Sequence, residues 1–141
     1  MAVADPEAWV RNVERLYQAH DAAGVAALYA SEARTKFGSR VLTPKEVHDH
    51  PAEWFGSLDD YVLTRTFRAA YGDVIVSETT ASYTIPAEGR KCREFGVDVY
   101  WVNDDGLIYH KHTCEVVEDY RDDALDAATS AACRLHAGTS S

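Results

Sequence analysis

Cysteine is scarce in this chain. Cys92, Cys114 and Cys133 are the only three in 141 residues, and no two form a C-x-x-C pair. An odd, scattered set excludes a disulfide framework and reads as free thiols of a reducing compartment, so a cytoplasmic location is expected. Positive charge is also short, with 14 Lys and Arg against 23 Asp and Glu, a net charge of −9 and no basic cluster. That argues against nucleic acid, and against an anionic membrane surface, as the partner. No apolar run approaches the roughly 20 residues of a membrane span. The opening MAVADPEAW has neither a basic nor an apolar leader region, so no signal peptide is expected. Repeats, low-complexity segments and linkers are missing too. What is present is 46% hydrophobic residues in a chain of domain size. This predicts one globular domain over 1–141, with a core and room for one pocket.

The organising stretch is GRKCREFGVDVYWVNDDGLIYHKHTCEVVE, Gly89 to Glu118. Asn103-Asp104-Asp105-Gly106 is a turn signal between two runs of β character, which predicts a long hairpin. In the first arm Phe95, Val97, Val99 and Trp101 share one face, and Glu94, Gly96, Asp98 and Tyr100 the other. In the second arm Tyr109, Lys111, Thr113 and Glu115 alternate with His110, His112 and Cys114. An acid at the centre of a strand, on a polar face, suggests a sheet with an ionisable concave side.

Upstream, Asp5-Pro6-Glu7 starts a helix whose apolar stripe is Trp9, Val13, Leu16 and Tyr17. Asp21 caps a short second helix with Val25, Leu28 and Tyr29 turned inward; the residue type would also allow a catalytic acid. Arg34 to Val41 reads as one short strand interrupted by Gly38. Thr43-Pro44-Lys45-Glu46 is a capping box for a third helix carrying Val47, His50, Trp54 and Leu58, which Pro51 kinks or restarts and Asp59-Asp60 ends. Tyr61 to Ala70 and Val74 to Ile85 are strands around the turn Tyr71-Gly72-Asp73. A C-terminal helix is expected over about 122–136. Helices followed by a four-strand meander define an α+β arrangement with helices on one face of an antiparallel sheet.

This order, with the segments QAHDAAGVAALYASEA, TPKEVHDHPAEWFGSLDDY and GRKCREFGVDVYWVNDDGLIYH, resembles the nuclear-transport-factor-2-like superfamily over about residues 6–120. Within it, the SnoaL-like polyketide cyclases, ketosteroid isomerases and limonene epoxide hydrolases are the similar groups. The resemblance implies a cone-shaped NTF2-like (cystatin-like) fold, with a curved antiparallel sheet wrapped around N-terminal helices and one pocket. It places Asp98 at the position of the isomerases' protonated oxyanion-hole aspartate. The isomerases' general base falls on Phe37, their oxyanion tyrosine on Val13 and a pocket phenylalanine on His50, so that machinery is incomplete. The epoxide hydrolases' Asp-Arg-Asp cluster finds no arginine in Glu78 to Ala81, and its last acid falls near Thr113. The cyclases' late-strand acid falls near Val116, between Glu115 and Glu118.

Oriented by Asp98, the sheet turns Glu94, Asp98, Tyr100, Lys111, Thr113 and Glu115 inward, with His50 facing them from the third helix. Asp98, His50, Lys111 and Glu115 are the candidate catalytic residues. An enclosed aspartate raised toward neutrality, paired with a histidine, would move a proton alpha to a carbonyl or eliminate water. Lys111 would stabilise an enolate or hold a carboxylate. The plainer alternative is that Asp98, Lys111 and Glu115 simply pair with one another. Trp9, Tyr17, Phe37, Trp54, Tyr83, Tyr100 and Thr113 are expected as pocket wall or core. His110, His112 and Cys114 have zinc-ligand chemistry, but this orientation puts them outside and His48 and His50 diverge on a helix; no metal and no cofactor is expected.

Three functions fit. The first is a cofactor-independent cyclase, dehydratase or isomerase acting on a small apolar carbonyl compound of polyketide or terpenoid type. The others are a ligand-binding protein without turnover, and an association module whose cone is filled. If Asp98 points inward, Phe95, Val97, Val99 and Trp101 form an apolar strip outside, which the resemblance assigns to a homodimer packed sheet to sheet.

Overall fold

The computed structural model describes residues 3–120; the helix expected over about 122–136 lies outside them. Helix α1 (Pro6–Gln18) begins where the Asp5 carboxylate accepts the Ala8 N–H at 3.0 Å, and it buries Val10, Val13 and Leu16. Helix α2 (Ala22–Ala26) is one turn, capped by Asp21 accepting from Gly24 N at 2.8 Å. Helix α3 (Pro44–Gly56) opens with the Thr43/Glu46 capping box and runs through Pro51 without a break. It ends two residues short of Leu58. Asp59 and Asp60 begin the next strand instead of terminating the helix, and Asp60 takes φ 53° at a register shift.

The single strand expected over Arg34–Val41 is a hairpin. Strand β1 (Tyr29–Phe37) starts directly after α2, and β2 (Arg40–Leu42) returns beside it. Gly38 at φ 57° makes the reversal, a conformation glycine adopts without strain. The meander follows as β3 (Asp59–Tyr71), β4 (Val74–Ile85), β5 (Arg90–Val102) and β6 (Ile108–Asp119). The strand order is β2-β1-β6-β5-β4-β3, antiparallel except where β1 lies parallel to β6. The sheet is curved and unclosed, with register shifts in β1, β3 and the β5–β6 pair. One shift, at Trp101/Val102, removes Tyr109 from the Lys111 face and leaves it exposed, contrary to simple alternation.

The core lies between the helices and the concave face, in two clusters. One gathers Val10, Val25, Ile75, Tyr100 and Ile108; the other gathers Leu58, Tyr61, Leu63, Tyr83 and Cys92. On the convex face Phe95 and Val97 are each 41% exposed and Val116 60%, whereas Val99 and Trp101 are half-buried. Trp101 owes this to His110 and His112, whose rings both stand 5.0 Å from it. No helix among the described residues is long and apolar enough to cross a membrane.

Candidate active site

The site is built from rows of residues running across the strands. Arg65 pairs with Thr79, Thr79 with Gly96, and Gly96 with Glu115. The next row joins Ser77, Asp98 and Thr113, and the one after joins Ile75, Tyr100, Lys111 and, through the parallel pair, Thr35. Because side chains two apart share a face, these rows converge on one side of the bent sheet. With α3 opposite, they enclose a cavity of about 230 Å³. Its wall includes Tyr17, Phe37, His50, Trp54, Asp98, Lys111, Thr113 and Glu115 of the residues singled out from the sequence. An association module with a filled cone would have no such space.

Asp98 is 3% exposed and its carboxylate is fully engaged. Arg65 Nη1 donates to Oδ2 at 2.6 Å, Thr79 Oγ1 to Oδ2 at 2.8 Å and Thr113 Oγ1 to Oδ1 at 2.7 Å; Lys111 Nζ stands 3.5 Å from Oδ1. Burial alone would raise this carboxyl, but Lys111, Arg65 and the two threonine hydroxyls outweigh it and hold Asp98 well below the usual carboxylate range. The expectation of an aspartate raised toward neutrality therefore fails. A residue the sequence reading did not single out, Arg65, is the reason. It comes from β3, two strands away, and its guanidinium also bonds the Tyr100 hydroxyl and lies 4.7 Å over the Tyr17 ring.

The raised carboxyl is Glu94. It is 7% exposed, accepts a long hydrogen bond of 3.4 Å from the Tyr83 hydroxyl, and its pKa is pushed up to about 8, by burial first and by the neighbouring Glu115 next. Gly96 leaves room for that neighbour. A Cβ there would sit 3.2 Å from the Cys114 carbonyl oxygen and 3.3 Å from Glu115 Cβ, so a side chain at this position would press Glu115 and its strand to give by a few tenths of an ångström.

His50 makes no contact with Asp98. It stacks on Trp54 at 6.1 Å, lies 5.6 Å from Phe37, and has no hydrogen-bond partner among the described residues. Burial, then the Lys111 charge, lowers its pKa below the ordinary 6.5. Lys111, 5% exposed, stays charged: burial opposes this, but the oxygens of Tyr29 and Tyr17 and the Asp98 carboxylate raise it well above the ordinary value.

Three expected wall residues stand behind the cavity. Trp9 packs edge-on against Tyr100 at 5.1 Å from α1, Tyr100 is consumed by that contact and by Arg65, and Tyr83 is buried against Trp54 at 5.2 Å. Tyr29, Thr35, Tyr61, Arg65 and Thr79 line the cavity in addition. Alternation sorts Arg65 within β3 and Thr79 within β4, but only the strand pairing shows that both lie on the face carrying Asp98. No group of three His, Cys, Asp or Glu side chains among the described residues could hold a metal ion. His110 and His112 lie outside, with their Nε2 atoms 2.7 Å apart.

A helix-lined, half-open sheet around a cavity is the NTF2-like architecture, and 294 solved chains match this chain; a fold by itself selects no reaction. The SnoaL-like domain family matches residues 10–111, and the chain belongs to that family, with its cyclase- and isomerase-type enzymes. Among solved structures it is similar to SalBIII, an epoxide hydrolase/cyclase-like enzyme described in pyran ring formation in the polyether salinomycin. The likeness has a TM-score of 0.70 at 12% identity and covers 82% of this chain and 95% of that one. No curated protein sequence matches.

Proposed function

We propose that the protein is a cofactor-independent enzyme that moves a proton on a small, largely apolar, carbonyl-containing metabolite of polyketide or terpenoid type, to cyclise, dehydrate or isomerise it. One observation carries this reading: the usual order of a histidine and a glutamate is inverted in a single cavity. His50 is held neutral and Glu94 protonated at the same pH. Environments that push two titratable groups apart in this way assign a base and an acid. His50 takes the proton alpha to the carbonyl; Glu94 donates a hydrogen bond to the carbonyl oxygen as it becomes an enolate. The buried cations Arg65 and Lys111, both anchored by Asp98, give the cavity a positive inner end that favours an electron-rich substrate. The likeness to SalBIII supports a ring-closing version, in which Glu94 protonates the departing oxygen and His50 takes the proton of the attacking hydroxyl.

Deuterium wash-in at C1 of 2-tetralone, followed by proton NMR in D₂O, tests the proton transfer without the natural substrate. Glu94→Gln and His50→Ala should each slow it about 10²-fold, with the fastest exchange between the lowered value of His50 and the value of about 8 for Glu94. Exchange no faster than in buffer, or unchanged in both variants, refutes the reading. The saturated carboxylate of Asp98 favours a second reading, a ligand-binding protein without turnover, and absence of wash-in would support it.

A further inference from the structure

The cavity carries an unbalanced charge at its inner end. Two buried cations, Arg65 and Lys111, meet one buried carboxylate, Asp98, which leaves one positive charge in excess. Asp98 is committed to Arg65, Thr79 and Thr113 at 2.6 to 2.8 Å, and Lys111 keeps only the longer 3.5 Å approach. An ammonium has three donors, and that of Lys111 makes no hydrogen bond shorter than this approach among the described residues; the uncharged hydroxyls of Tyr29 and Tyr17 lie near it, and it faces the rings of Tyr100 at 5.5 Å and Phe37 at 5.9 Å. Arg65 also leaves its buried Nε–H without a partner.

The other acids do not cancel the excess. Glu94 holds its proton through neutral pH, and Glu115 is exposed beside it, at the outer end of the cavity. Glu14 accepts the Arg65 backbone N–H at 2.6 Å from α1 and does not line the cavity. Glu46 pairs with Arg40 on the exposed side. Thr35, buried and in register with Lys111, adds a hydroxyl to the same inner patch. A buried charge without a full partner is costly, and a ligand that supplies the missing anion relieves that cost.

We propose that the inner end of the cavity is a carboxylate subsite, so that the ligand is a small monoanionic organic acid. Its carboxylate meets Lys111 Nζ and the Thr35 hydroxyl, and its apolar body runs past Phe37 and Trp54 toward Glu94. At about 230 Å³ the cavity is below the ~300–1,000 Å³ of sites for drug-sized ligands, which restricts that body to one or two rings. The inference deepens the reading of this cavity as the enzyme's substrate site and rests on it, but needs no turnover.

Isothermal titration calorimetry with 2-naphthoate and 2-naphthamide at pH 7 tests it, the two probes having nearly the same shape and differing in charge. The carboxylate should bind at least about 10-fold tighter than the amide, in keeping with the strength of charge-assisted hydrogen bonds. Lys111→Met should abolish the preference and bring naphthoate down to the level of the amide in the same variant, whereas Lys111→Arg should keep the preference. Thr35→Val, which removes a donor and no charge, should weaken naphthoate about 3-fold or more. The wild-type comparison stands even if a lysine variant does not fold. Equal affinities in the wild type, no binding of either probe, or a preference that survives in folded Lys111→Met would overturn the subsite. Carboxylate preference without deuterium wash-in refutes the enzymatic reading alone; wash-in without the preference refutes the subsite alone.

Discussion

Asp98→Asn separates a structural carboxylate from a catalytic one. A catalytic base freely exchanging its proton would tolerate the amide with little loss of stability. Here the amide removes the carboxylate that, among the described residues, stands between Arg65 and Lys111. It also points an NH₂ at donors, either Arg65 and Thr79 or Thr113 and Lys111, because all four address the two carboxylate oxygens. Breaking one side of a buried ion pair costs about 3–5 kcal/mol, a large share of the roughly 5–15 kcal/mol that holds a domain folded. At about 3 °C per kcal/mol for a domain of this size, Tm should fall by some 10 °C or more in a thermal melt at pH 7. Arg65→Met with Asp98→Asn should be less destabilised than the sum of the single changes by roughly 1–3 kcal/mol. Because the folded-state pKa of Asp98 is lowered, its contribution is complete above the ordinary value of 3.8 and is lost as pH falls below it. The gap between wild type and Asp98→Asn should therefore hold from neutral pH down to about pH 4 and then narrow. A Tm within 2 °C of wild type at pH 7 would show that Asp98 is not the buried anion of this cluster.

Glu94→Gln carries the opposite sign. The folded chain keeps a proton on Glu94 up to about pH 8, whereas the unfolded chain releases it near 4.5. The wild type therefore loses stability between these values, and the variant should gain on it by at most about 1.4 kcal/mol per pH unit; parallel urea midpoints from pH 5 to 8 would refute a raised Glu94. Gly96→Ala should push Glu115 away, and an NMR titration should then find Glu94 lowered toward 4.5; an unmoved value would remove the carboxyl pair as its cause. For the convex face we propose a homodimer centred on the strip of Phe95, Val97, Val99 and Trp101, with Phe95 and Val97 each 41% exposed in the single chain. Light scattering should find a dimer at micromolar concentration and a monomer for Val99→Asp with Trp101→Glu, and a monomeric wild type would refute it.

Much of this protein is local and was therefore legible in its residues. The caps at Asp5, Asp21 and Thr43, the turn at Asn103–Gly106 and the strict alternation of β5 depend only on neighbours a few positions apart. Alternation was enough to put Glu94, Asp98 and Tyr100 on one face and Phe95, Val97 and Trp101 on the other. What each inward residue meets there was decided only by tertiary structure. Arg65 reaches Asp98 because β3, β4 and β5 pair in one particular register, and no spacing within a single strand records that. The register shift at Trp101/Val102 ejects Tyr109 while keeping Lys111 inside, which a period of two does not foresee. The same holds for charge. Asp98 and Glu94 are both acids on one strand face, four residues apart, yet one is ionised by two cations from other strands and the other is kept protonated by burial and a glutamate brought in from β6. Residue type sets the ordinary pKa; the desolvation and the neighbours that move it are supplied by chain segments distant in sequence, so the acid of the candidate site emerged only when the sheet was assembled.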